Sequence, residues 1–203
     1  MLEAATAEFL ARGYAGTTMR AIAGRAGVAL PTVEALFGTK ARVLKAAIDV
    51  AITGDDDQVA VLDRQWARAA EQAATVEQFL AIAAAVITPA QSRSSGLVLA
   101  LFEGSSADAE LARLATQMIT SRAATARWLV DTMIAKAPLR DGCTRNEAID
   151  TMWILMDPTV YDRLTRQRQW TSRQYQEWFA GSAYRLLLSD PPVGSHDDDE
   201  EDQ

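Results

Sequence analysis

Apolar residues recur at helical spacing through almost every long segment of this chain, and no stretch shows convincing strand alternation. That pattern imposes an all-α fold, because side chains three and four apart share one face of a helix whereas a strand needs a period of two. The punctuation between segments divides the chain. Helix one is expected over about Leu2 to Arg12, with Leu2, Ala5, Phe9 and Leu10 on one face and Gly13 at its end. Thr17 or Thr18 caps helix two, and Gly27 reverses the chain because it tolerates φ > 0. Helix three is expected over about Leu30 to Leu36, with Pro31 in its first turn and an apolar face of Val28, Val33 and Leu36. Phe37-Gly38 closes it, and Thr39 caps a fourth helix to about Ile52.

Gly54-Asp55-Asp56-Asp57 marks a boundary, and a helix from about Asp57 to Gln72 follows, with acidic residues where the dipole favours them. Thr75 to Gln78 has capping-box spacing and opens a helix through about Ile87, which Pro89 and the polar run QSRSS interrupt. Gly96 to Glu103 reads as a short buried helix, and Ala107 to Ala137 as the longest uninterrupted one. Thr144 to Glu147 is a second capping box, opening a helix to about Met156. Asp157-Pro158 supplies an N-cap and a first-turn proline for a helix that reaches Arg168. Thr171 caps the final helix through about Ser189. Three units are expected: a three-helix unit with its linking helix over 1–54, a helical domain over 55–190, and a disordered acidic tail over 191–203.

Residue totals narrow the class. The chain has 203 residues, 49% of them hydrophobic, so a sizeable core is available. No run approaches the ~20 apolar residues of a membrane span. The start, MLEAATAEFLARG, has no basic n-region, so no secretory signal is expected. Cys143 is the only cysteine, which excludes an internal disulfide and fits a reducing cytoplasm. The net charge of −7 is concentrated at one end, where the last eight residues, HDDDEEDQ, hold six acidic groups. Without them the balance is 20 basic to 21 acidic residues, and Met1–Val50 has six basic to four acidic. Local neutralisation of phosphates matters more than total charge for binding DNA, so the balance does not exclude it.

The stretch from Thr17 to Lys40 holds two short helices joined by a Gly-containing turn, the arrangement of a helix-turn-helix. The wider segment from Leu2 to Ile48 resembles the N-terminal domain of TetR-type (tetracycline-repressor-like) regulators. Phe9, Gly13-Tyr14, Thr17-Thr18, Ile22-Ala23, Ala26-Gly27-Val28, Thr32, Phe37 and Lys40 carry the resemblance, over about a quarter of the chain. It implies a homodimer reading a palindromic double-stranded operator, with Pro31, Thr32, Glu34 and Ala35 facing the groove. Thr18 and Lys40, at the starts of helices two and four, would touch phosphates, as a helix N-terminus suits an anion. Thr17, Arg20, Phe37 and Arg42 complete the candidate DNA-binding set. Relatives often have an aromatic where this chain has Glu34 and a polar or basic residue where it has Ala35. No Lys or Arg occurs from Ala29 to Phe37. Glu34 either accepts a hydrogen bond from cytosine N4 or weakens binding by repelling phosphate. Relatives also have several residues before helix one, so either the start is trimmed or a lower salt slope is expected here.

The resemblance further implies a ligand cavity and a dimer face in the larger domain. Candidate cavity residues are Trp66, Phe79, Phe102, Met118, Trp128, Met152, Trp153 and Tyr161, within an inventory that also holds Met133 and Met156. Aromatic and Met side chains suit an apolar or aromatic effector, though for any single one of them ordinary core is the better reading. Candidate dimer residues are Ile149, Met152, Tyr175, Trp178, Phe179, Ala183, Leu186 and Leu187, in the last two major helices; burial within one subunit is the other option.

Enzyme chemistry has no constellation behind it. His196 is the sole histidine and Cys143 the sole thiol, so no Cys/His metal cluster forms within one chain, and no metal or cofactor is expected. Neither acidic run has calcium-loop spacing. The reading is a ligand-responsive DNA-binding transcriptional regulator, a repressor that its effector releases. The alternative is a helical ligand- or partner-binding dimer with weakened DNA binding.

Overall fold

The computed structural model describes residues 1–55, 57 and 59–189, so the predicted acidic tail, His196 and Asp56 lie outside the described residues. The described chain is helical. Its elements are α1 (Leu2–Gly16), α2 (Met19–Ala26), α3 (Leu30–Phe37), α4 (Lys40–Thr53), a 3-10 turn (Val61–Asp63), α5 (Gln65–Glu71), α6 (Val76–Gly104), α7 (Ala109–Ile134), α8 (Arg145–Leu155), α9 (Pro158–Asp162) continuing as one π turn (Arg163–Gln167), and α10 (Ser172–Leu187). The one extended pairing among the described residues is a single antiparallel bridge, Leu139 to Leu188. No helix there is long and apolar enough to cross a membrane.

Local chemistry sets most of the boundaries. The hydroxyls of Thr18, Thr39 and Thr75 accept from backbone N–H groups three residues on, and Asp108 accepts from both Glu110 and Leu111. Thr144 with Glu147, and Thr171 with Gln174, form complete capping boxes. Asp157 caps α9, with Pro158 in its first turn.

Five expectations are corrected. Gly13 (φ 64°, ψ −177°) does break α1, but the chain resumes for a further turn to Gly16. The helix expected from Asp57 forms only over Gln65–Glu71, preceded by the 3-10 turn. Pro89 and QSRSS do not interrupt α6, which runs unbroken for 29 residues. Proline forfeits one hydrogen bond, to the carbonyl four residues back. Here that carbonyl belongs to exposed Ala85, and Pro89 is exposed too, so water can take the lost place. Gly96–Glu103 is therefore the end of α6 and not a helix of its own. On α3, Leu30, Val33 and Phe37 fill the inward arc, and Leu36 lies off it, exposed.

Two apolar cores result. One gathers Ala5 and Phe9 of α1, Ile22 of α2, Val33 of α3 and Val43, Leu44, Ala47 and Ile48 of α4 against Leu97, Val98 and Leu101 of α6 and Leu111 and Ala115 of α7. The other joins α5, the first half of α6, the second half of α7, and α8 to α10 around Phe79, Leu129, Met133, Met152, Tyr175 and Phe179. Each large apolar side chain so enclosed contributes about 1.5–3 kcal/mol. Helix α6 runs through both cores, and its C-terminal half is the floor on which α1 and α4 sit, with α2 and α3 carried on them.

Candidate nucleic-acid interface and internal cavity

The α2–turn–α3 unit is held from within. Gly27 takes the left-handed conformation (φ 68°, ψ 28°) that ends α2, and the Val28 N–H returns to Ala23 O at 3.1 Å. Ile22 and Val33 are fully buried between the helices. That leaves Pro31, Thr32, Glu34, Ala35 and Leu36 on the outer side of α3, all exposed, with Thr18 and Arg20 exposed at the start of α2. Phe37 is half-buried against the core. Arg42 is exposed and pairs loosely with Glu110 at 3.3 Å.

Two residues of the expected DNA-facing set point inward instead. Thr17 is fully buried, and its hydroxyl lies 2.7 Å from Gly13 O and 3.1 Å from Glu8 O, the two acceptors available to it. Lys40 donates from Nζ to Tyr14 O at 2.7 Å and Thr17 O at 2.8 Å, and sits 4.0 Å from the centre of the Tyr14 ring. Desolvation lowers its pKa below the usual lysine range. A lysine that satisfies two backbone carbonyls at the α1–α2 corner is a staple of the unit, with little left for a phosphate.

Sequence reading passed over two more fasteners. The Glu8 carboxylate is nearly buried and lies 2.6 Å from Arg25 Nε and 3.4 Å from Arg12 Nε. The hydrogen bond from Arg25 holds its pKa below the ordinary carboxylate value, against the opposing effect of burial. The Glu8–Arg12 spacing of four residues was the available signal. Tyr14 donates from its hydroxyl to Asp108 Oδ2 at 2.9 Å, tying the end of α1 to the cap of α7. Burial first, then Asp108, pushes that phenol well above its usual pKa.

Beneath this unit lies a cavity of about 1060 Å³, bounded by the end of α4, residues 59–66, the middle of α6, the middle of α7, and Met156 and Pro158. Of the expected lining residues, Trp66, Phe102 and Met118 border it. Phe79 and Met152 are instead sealed in the second core, and Tyr161 is buried edge-on against Tyr175 at 4.7 Å. Trp128 meets Trp66 edge-on at 5.3 Å and donates to Glu71, and Trp153 lies under the Arg122 guanidinium at 4.3 Å. These five are packing partners of the helices and do not line the space. Gln91, Arg93 and Arg122 do line it. The first two belong to the QSRSS segment, which looked like a loop and is in fact a turn of α6. Arg93 donates from Nε to Ala51 O at 2.8 Å and from Nη2 to Ile52 O at 3.2 Å, so a cavity-wall side chain holds the last carbonyls of α4. Arg122, its pKa lowered chiefly by burial, reaches Asp157 at 2.7 Å.

Most of the expected dimer face is also internal. Met152 of α8 and Tyr175, Phe179, Ala183 and Leu187 of α10 are buried within the protomer, because α8 packs on α7 and α10, and α10 packs on α6 and α8. Ile149 and Trp178 are half-buried. Leu186 is 46% exposed, and Ile154, which the sequence reading omitted, is 52% exposed on α8.

Residues 1–47 match the family model described as bacterial regulatory proteins, tetR family. A search of curated proteins finds no match. Among solved structures, the chain is similar to the transcriptional regulator FadR of Bacillus subtilis in complex with stearoyl-CoA, with TM-score 0.68, 16% identity, and coverage of 91% of this chain and 96% of that one. It is similar to NalD of Pseudomonas aeruginosa, the secondary repressor of the MexAB-OprM multidrug efflux pump, with TM-score 0.66, 19% identity, and coverage of 94% and 95%. A Saccharomonospora viridis protein in complex with choline gives TM-score 0.67, 16% identity, and coverage of 93% and 96%.

Proposed function

We propose that this chain, which carries a unit of the bacterial tetR regulatory family at residues 1–47 on the fold of such regulators, is a ligand-responsive DNA-binding transcriptional repressor. It acts as a homodimer on a palindromic operator, placing two copies of α3 in successive major grooves. The observation that carries this reading is the α2–turn–α3 unit, cored by Ile22 and Val33, with an outer side left free for a groove. Thr18, Arg20 and Arg42 supply backbone contacts, and Pro31, Thr32, Glu34 and Ala35 face the bases. Ile154 and Leu186 are the apolar centre that α8 and α10 offer to a second copy. Neighbours of the same fold that hold stearoyl-CoA or choline, and one described as a repressor, support an effector role for the cavity.

The effector acts by favouring one arrangement of α4 over another. Arg93 is the link. It lines the cavity and at the same time holds Ala51 O and Ile52 O at the end of α4, whose first turn is stapled by Lys40 to the α1–α2 corner. A ligand that displaces the guanidinium frees that end of α4 and changes the spacing of the two recognition helices.

One observation favours a second reading, a ligand-binding dimer with weak DNA affinity: α3 carries no cation, and Lys40 is committed internally. Titration of the DNA upstream of the chain's own gene, at two salt concentrations, separates the two. The repressor reading expects sequence-selective binding that falls with salt. Its absence at low salt rules that reading out and leaves the second.

A further inference from the structure

If the cavity is the effector site proposed above, its polar groups define what can fill it. Two buried polar side chains on different helices converge on one corner of the wall. Gln91 of α6 is 8% exposed and donates from Nε2 to Met156 O at 2.6 Å. Arg122 of α7, with its side chain 12% exposed, reaches the next residue, Asp157, through Nη2 at 2.7 Å. Both line the cavity.

Each of these side chains is only half satisfied. Among the described residues, Gln91 Oε1 and Arg122 Nε are buried without a protein partner. Buried acceptors and donors are nearly always paired, so orphans on two cavity-lining residues mark a place where something else completes the bonding. The charge at that corner is already balanced. Arg122 is matched by Asp157, whose other oxygen accepts from the Thr159 N–H at 2.7 Å and from the Thr159 hydroxyl. An anion would add an uncompensated charge to a half-dry site, and a cation would face Arg122. Val98, Phe102 and Met118 make the adjoining wall apolar.

We propose that the cavity takes an uncharged apolar molecule bearing a hydroxyl, which donates to Gln91 Oε1 and accepts from Arg122 Nε. A hydroxyl is the simplest group that does both. An ether offers only an acceptor, and a carboxylate offers only acceptors together with a charge.

A matched series on one apolar body tests this: 1-pyrenemethanol, its methyl ether, and 1-pyrenecarboxylate. Each is titrated into the full chain and followed by energy transfer from tryptophan, since Trp66 lines the cavity. The alcohol is expected to bind at least about tenfold more tightly than either analogue, the usual effect of leaving one buried acceptor unpaired. In Gln91→Leu, with folding checked by thermal melting, alcohol and ether are expected to converge to within about twofold through weaker alcohol binding. Should that variant not fold, the wild-type ranking decides alone. Equal wild-type binding of alcohol and ether, or preference for the carboxylate, overturns the hydroxyl assignment while leaving the cavity a ligand site. Failure of all three to bind the wild type refutes the effector cavity, and the hydroxyl assignment falls with it.

Discussion

Removing the Lys40 ammonium strips the partner from two backbone carbonyls at once, Tyr14 O and Thr17 O. Lys40→Met is therefore expected to lower the unfolding free energy by about 1–3 kcal/mol, read from the denaturant midpoint at unchanged slope. Arg20→Ala should do the reverse: leave stability within about 0.5 kcal/mol and reduce the salt slope of DNA binding by about one. Equal losses of stability in the two variants would contradict the division between staple and contact. Glu8 adds a pH dependence. Its folded pKa lies below the ordinary 4.5, so its contribution is complete above that pH and is lost as pH falls through the depressed folded value. Glu8→Gln should lower stability at neutral pH and flatten the acid limb of the stability curve below about 4.5, as urea melts across that range would record. A parallel, unflattened acid limb would mean that Glu8 is not the group responsible.

Helix boundaries follow two kinds of rule, and the chain separates them well. Caps are local: Thr18, Thr39, Thr144, Asp157 and Thr171 each reach an N–H two or three residues away, so the sequence was enough to place them. Pro89 shows where local rules stop. It reads as a break, yet α6 tolerates it on the exposed side while fourteen buried residues of that helix hold the rest in place. Pro89→Ala should then restore one backbone bond and raise the thermal midpoint, by up to about 3 kcal/mol in stability; an unchanged or lower midpoint would show that the helix needs the proline. The cavity was hidden for the same reason. Gln91, Arg93 and Arg122 acquire meaning only through Met156, Ala51 and Asp157, at separations of 65, 42 and 35 residues, and no spacing rule spans such distances. The aromatic residues that composition nominated, Phe79 and Tyr161 among them, went to the core because a large apolar side chain is worth most where water is fully excluded.

For the molecule as a whole, the clasp of Arg93 on the end of α4 is the contact that the proposed effector undoes. Arg93→Met is therefore expected to bind operator more weakly than the parent even without ligand, and to show little further ligand-dependent release. Parent-like operator binding with full release in that variant would move the coupling elsewhere. If the proposed dimer forms through α8 and α10, Leu186→Glu should shift the chain toward monomer in sedimentation, since a carboxylate at an apolar interface is costly to bury. The paired cores have a consequence for modularity. Because Leu97, Leu101 and Leu111 close the underside of the first core, the four leading helices are not a detachable head. A chimera that grafts residues 1–54 alone onto a relative's body would inherit a foreign floor beneath Phe9 and Leu44. If α2 and α3 read DNA as proposed, exchanging specificity between such folds requires carrying the end of α6 and the start of α7 along with them.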